Sequence, residues 1–204
     1  MSKLTGVISG RKVKPPRIIV YGPRGVGKTT FASKAPNPII VQTEDGADEL
    51  DVDRMPVART FSELMECLTK IYRENHDYKT IVLDSVDWAE KLIHEELKRE
   101  MGEKEFQAYG RGAALTVTYV ERLIKAFDAL REKRGMACIL IAHSYIKRFN
   151  SPEGDSYDRY EIDLHQKSAS ICEEWADGIF FASQKIYTTT TDAGFGKKIT
   201  RGTG

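Results

Sequence analysis

Cysteine is scarce in this chain: Cys67, Cys138 and Cys172 are three thiols in 204 residues, widely spaced and without a C-x-x-C pair. An odd number of distant cysteines excludes a disulfide framework and suits a reducing cytoplasm. His76, His94, His143 and His165 are equally scattered, so no cysteine–histidine zinc site follows from spacing. Long apolar runs are also missing. The longest, Met136 to Ala142, is far short of the roughly 20 residues that a membrane span requires, and no apolar signal segment opens the chain. The expectation is a soluble intracellular protein with no membrane partner. A net charge of +1 excludes a uniformly basic nucleic-acid binder and leaves only local patches for such contacts. Charge of one sign is locally absent: residues 1–20 carry Lys3, Arg11, Lys12, Lys14 and Arg17 without an acid, and residues 44–53 carry six acids without a base. No Asn-Lys-x-Asp motif occurs, which removes guanine reading.

What is present begins with Gly22-Pro23-Arg24-Gly25-Val26-Gly27-Lys28-Thr29, followed by Thr30 and preceded by the apolar triplet Ile18-Ile19-Val20. This is a complete phosphate-binding loop in its strand–loop–helix setting. Its glycines allow a tight bend that turns backbone N–H groups toward a nucleotide's phosphates at the positive end of a helix. Lys28 is placed to reach the β- and γ-phosphates, and the Thr29 hydroxyl to ligate Mg²⁺.

At this length the chain fits one domain with a three-layer core. Strand-like runs at 17–21, 38–43, 55–58, 79–84, 136–142 and 178–183 alternate with helical patterns at 28–35, 61–74, 87–101 and 113–134. Several strands are apolar throughout, as expected of strands covered on both faces. The pattern predicts a doubly wound, mostly parallel α/β sheet with helices on both faces. Beyond about residue 185 the character changes. Ile186 to Thr191 and Lys197 to Thr200 flank Asp192-Ala-Gly-Phe-Gly196 and predict a C-terminal β-hairpin extension.

A second fixed point is Ile81-Val82-Leu83-Asp84-Ser85, a buried strand ending in a carboxylate, the usual place for the Asp that holds Mg²⁺ opposite the loop's Thr. Hydrolysis also needs a group to activate water. Ser85 stands where oligomeric AAA+ ATPases carry Glu, so the base must come from elsewhere. Glu44 stands at the end of strand 38–43, where RecA-like ATPases carry their catalytic Glu, and is the candidate on that resemblance, with Asp45 next to it left open.

Val41-Gln-Thr-Glu44-Asp-Gly, Ile81-Val-Leu-Asp84-Ser-Val and Ile139-Leu-Ile-Ala-His143-Ser, in that order behind the phosphate loop, resemble the RecA-like core. More narrowly, the chain resembles the phage-encoded RecA-like ATPases of the Sak-four group, short single-domain proteins of single-strand annealing and recombination. The resemblance covers roughly residues 17–201, behind a basic lead at 1–16. It implies a RecA-like phosphate-loop ATPase that takes ATP and Mg²⁺ and works in the cytoplasm of a bacterial host. Lys28 would be the phosphate lysine, Thr29 and Asp84 the Mg²⁺ holders, Glu44 the water-activating base and His143 the γ-phosphate sensor, where RecA itself has Gln. The chain stops at Arg201-Gly-Thr-Gly204, inside what reads as another hairpin, so the expectation is a C-terminus cut short of a longer β-extension.

The resemblance also points to single-stranded DNA as a partner, alongside further copies of the chain and a single-strand binding protein. The segment Ser144 to His165, read as a loop, carries Tyr145, Lys147, Arg148 and Phe149, then Tyr157, Arg159 and Tyr160. Aromatic rings interleaved with cations suit sequence-tolerant strand binding. Phe106 to Gly112, with Tyr109 and Arg111, is a second candidate loop. Lys197, Lys198 and Arg201 are candidates to act in trans at a neighbour's ATP site. Two other classes stay open: a small-molecule kinase with Arg148 and Arg159 in a thin lid, and an AAA+ loader subunit, against which Asp84-Ser85 and the absence of a C-terminal helical lid speak.

Overall fold

The computed structural model describes residues 6–7, 9–10, 13–152, 154–185, 187–192 and 198–203; for the last two segments it describes the backbone alone. Strand β1 (Arg17–Gly22) leads into α1 (Lys28–Ala32), then β2 (Pro38–Gln42), β3 (Asp53–Arg54), α2 (Phe61–Arg73), β4 (Thr80–Asp84) and α3 (Val86–Met101). A short α4 (Glu103–Gln107) and a 3-10 turn precede the long α5 (Arg111–Arg134). Then come β5 (Ala137–Phe149), β6 (Tyr157–Ile162), α6 (Gln166–Trp175), β7 (Gly178–Phe181), and the pair β8 (Tyr187–Asp192) and β9 (Lys198–Thr203).

The main sheet runs β3-β2-β4-β5-β1-β7, with β6 added antiparallel to β5. Its other pairings are parallel, so the ends of β1, β2 and β4 open on one side, where ligands of such sheets bind. Strand β5 lies between β4 and β1 and separates the strand of Asp84 from the strand of the phosphate loop.

The apolar runs of β2, β4 and β5 are buried on both sides, but the two layers differ in size. Ile19, Val41, Leu83 and Leu140 face a large core closed by α2, α3, α5 and α6, centred on Phe61, Ile93 and Phe127. Val20, Ile40, Val82 and Ile141 face a small one closed by Ala32 of α1 and Ala47 of the loop after β2. Local chemistry sets the helix ends. Thr60 caps α2 by accepting from Glu63 N–H at 3.1 Å, while Glu63 accepts in return from Arg59 N–H at 2.7 Å, a variant of the capping box.

Four expectations are corrected. The strand expected at 55–58 pairs only at Asp53 and Arg54; Pro56 lacks the N–H a ladder needs, although Met55 and Ala58 still donate to Ile40 and Gln42. Residues 144–165 are not a loop: β5 continues to Phe149 and returns through β6 as a hairpin, followed by α6. Nor is 106–112 a loop. It is a helical corner from α4 through the 3-10 turn into α5, with Tyr109 at φ 49° and fully exposed. Helix α1 ends at Ala32, and residues 33–35 continue as tighter turns. The C-terminal hairpin forms, its strands antiparallel and in a sheet of their own; residues 193–197 at its tip lie outside the described residues.

Candidate functional site

The phosphate loop leaves β1 at Gly22, whose register partner on β5 is His143. Gly25 and Gly27 hold φ of 73° and 93°, the left-handed region that favours glycine. Gly22 is required for another reason: a Cβ there would lie 2.2 Å from the Ala182 carbonyl oxygen, just past β7. Gly22→Ala should therefore cost about 1–3 kcal/mol through overpacking, seen as a Tm loss of roughly 2–4 °C per kcal/mol. An unchanged Tm would show that Ala182 moves aside freely.

Lys28 is buried and donates from Nζ to the carbonyls of Gly22 and Pro23, both at 2.9 Å. Burial lowers its pKa, against the pull of Asp84 and Asp87. Thr29 Oγ1 donates to Asp84 Oδ2 at 2.6 Å, so α1 spans the width of β5 to reach the end of β4. A hydroxyl and a carboxylate side by side are hard oxygen donors, the set Mg²⁺ takes together with waters and phosphate oxygens. These two side chains could hold that ion, which would neutralise phosphate charge when bound. Burial raises the Asp84 pKa, and the Thr29 hydrogen bond opposes it.

The ends of β2 and β4 are stitched together. Thr43 N–H donates to the Asp84 carbonyl at 2.8 Å, its Oγ1 donates to the Ser85 carbonyl, and Ser85 N–H donates back to Oγ1, the last two also at 2.8 Å. This places Glu44 against Ser85, whose Oγ donates to Glu44 Oε1 at 2.9 Å. Burial pushes the Glu44 carboxyl up, with the Ser85 bond working against the shift. Asp45 turns to Arg59, 3.0 Å away at the surface. Glu44, Lys28, Thr29, Thr30, Asp84 and His143 line one cavity of about 380 Å³.

Sequence reasoning missed Asp87 and Glu90, one turn apart near the start of α3. Asp87 Oδ2 lies 2.9 Å from His143 Nδ1, and its Oδ1 accepts from His143 N–H at 3.0 Å. Glu90 Oε2 accepts from His165 N–H at 2.9 Å. Helix α3, which starts directly after Asp84-Ser85, thus grips both bases of the β5–β6 hairpin. The available signal was two acids at i and i+3 on a face otherwise buried, Val86, Ala89 and Ile93 being core residues; buried carboxylates need donors.

The hairpin brings Tyr145, Lys147, Arg148 and Phe149 together with Tyr157, Arg159 and Tyr160. Its cations face acids of the same hairpin: Lys147 and Arg159 share Glu161, and Arg148 lies 3.4 Å from Asp158. Lys147 holds the Glu161 carboxyl down at about 2, with Arg159 and Tyr145 adding to the effect. The Arg159 guanidinium sits 4.3 Å over the Phe149 ring, and Tyr160 stacks on Phe181 at 4.9 Å. Arg111 is not part of this group. It pairs with Glu105 of α4, beyond the C-terminal end of α3, a helix that alone is roughly 24 Å long at about 1.5 Å per residue. Lys197 lies outside the described residues, and of Lys198 and Arg201 only the strand backbone is described.

No helix among the described residues is long and apolar enough to cross a membrane. No curated protein matches the chain. Residues 14–201 match the model of a family described as AAA domain, which takes in the phosphate loop, Glu44, Asp84, His143 and the hairpin. With nearly the whole sequence matched, the chain belongs to this AAA-domain family and is a nucleotide-binding protein of the phosphate-loop ATPase type.

Proposed function

We propose that the chain is a Mg²⁺-dependent, RecA-like ATPase of the phage Sak-four type, which binds single-stranded DNA on the β5–β6 hairpin and assists strand annealing or exchange. In this reading Lys28 and the backbone of residues 22–30 bind ATP, Thr29 and Asp84 hold Mg²⁺, Glu44 activates water and His143 reads the γ-phosphate. The observation that carries it is the continuity of β5. One strand leaves the nucleotide cavity at His143 and becomes, without a break, the hairpin leg bearing Tyr145, Lys147, Arg148 and Phe149. A change at the γ-phosphate would be felt by the hairpin base directly.

Lys147, Arg148 and Arg159 remain 47%, 60% and 44% exposed in their pairs with Glu161 and Asp158, so a phosphate could reach them without those pairs first breaking. Tyr157 and Tyr160 are half exposed, and although Tyr160 already stacks on Phe181, both rings keep exposed surface on which a base could stack. Further copies of the chain, with Lys197, Lys198 and Arg201 acting in trans, complete the proposed assembly; a single-strand binding protein in the host cytoplasm is the proposed accessory partner.

ATPase activity measured with and without single-stranded DNA, alongside the mass of the protein in each nucleotide state, tests the reading. Turnover should rise with single strands. A protein that binds ATP but neither binds single-stranded DNA nor responds to it is not this ATPase. The family description favours one second reading, an AAA-type loader subunit. That reading expects nucleotide-dependent assembly on a protein client, with no direct response to single strands.

A further inference from the structure

We propose that Asp87 is a positioning residue for ATP turnover, holding the His143 imidazole by Nδ1 so that Nε2 is the ring nitrogen left for the nucleotide cavity. The inference rests on the ATPase reading above and adds a residue that no sequence motif marks.

His143 is the last β5 residue paired with the strand of the phosphate loop, and its side chain lines the cavity with Lys28, Asp84 and Glu44. Asp87 is 2% exposed in the first turn of α3. It grips one residue at two points: Oδ1 takes the backbone N–H of His143 at 3.0 Å and Oδ2 meets ring Nδ1 at 2.9 Å. Rotation of the ring would break the second bond while the first holds the backbone still. Burial alone would push the Asp87 carboxyl up, but the ring and backbone bonds from His143 outweigh it and leave the group below its ordinary range. An ionised carboxylate only accepts, so Nδ1 is the donor in this pair and Nε2 the nitrogen available to a ligand. Glu44 Oε1, at 3.8 Å from the same Nδ1, is too far for a hydrogen bond and does not set the ring.

If the His143 contact to the γ-phosphate strengthens in the transition state, fixing the imidazole's tautomer acts on kcat rather than on KM. A purely structural Asp87, acting only on the α3 dipole and the hairpin base, would not. Asp87→Asn keeps the size of the side chain and removes its charge. It should lower kcat at least about tenfold while KM for ATP stays within about twofold. Added to His143→Ala it should slow turnover no further, because the two residues act as one unit. In ¹⁵N spectra of histidine-labelled protein, the signal missing from His143→Ala should show a protonated Nδ1, and Asp87→Asn should shift it.

A kcat within twofold of wild type, multiplying effects in the double variant, or an unprotonated Nδ1 in the wild-type ring would each overturn the proposal. If Asp87→Asn does not fold, the wild-type spectrum still decides the tautomer. If the wild-type protein binds ATP without turning it over, the ATPase reading fails by itself, and the spectrum separately reports whether Asp87 holds the ring.

Discussion

Glu44→Gln should leave ATP affinity within about twofold of wild type and lower kcat by about 10²- to 10⁴-fold, the range of a lost general base. Gln has the same shape, and its carbonyl oxygen can still accept from Ser85 Oγ, now 2.9 Å from Glu44 Oε1. The cavity wall and the stitch between β2 and β4 therefore survive the change. What would disappear, on the proposed role of Glu44, is the carboxylate's ability to take a proton from water. Because burial raises the Glu44 pKa, the wild-type rate should fall on acidification at a higher pH than an ordinary carboxylate would give. The sign is that of a base: active when deprotonated, lost as pH falls through the raised value. The Gln variant should lack that acid limb. Pre-steady-state turnover and nucleotide titration across pH would measure both effects; near-normal turnover would move the base to Asp45, which pairs with Arg59, or elsewhere.

Lys28→Ala should act earlier, on binding. Hydrogen bonds from a charged donor contribute about 1.5–3 kcal/mol each, so loss of the ammonium should weaken ATP about 100-fold by titration calorimetry. The substitution also strips the carbonyls of Gly22 and Pro23 of their shared donor. Lys28→Arg should not rescue binding, since a planar guanidinium cannot replace a compact ammonium seated between two carbonyls. ATP binding by Lys28→Ala at wild-type affinity would mean that the backbone N–H groups alone hold the phosphates. Thermal unfolding of the variant without nucleotide separates loop damage from lost ligand contact.

Much of the architecture was legible because its causes are local. The apolar runs of β2, β4 and β5 are long enough to demand cover on both faces, and the phosphate loop declares itself in eight consecutive residues. The helical pattern at 61–74 likewise matches α2, Phe61–Arg73. Weak local patterns escaped. In α6 the buried face is Ser168, Cys172 and Trp175, of which the first is polar, so no apolar stripe stands out. In β6, Tyr-Asp-Arg-Tyr-Glu-Ile is mostly exposed and becomes a strand by pairing with β5.

By itself, then, the sequence determined a parallel α/β sheet, a phosphate loop and carboxylates at two strand ends, all set by backbone preference and burial within short windows. Only the tertiary structure decided where each carboxylate points and what it meets. Glu44 turns inward to Ser85 while Asp45 turns outward to Arg59, a choice made by the pairing of β2 with β4. Asp87 meets His143 across 56 positions because α3 packs back against β5. Gly22 yields to Ala182 across 160, which no local preference encodes. Buried polar groups take whatever partners packing brings, and packing is a property of the whole chain.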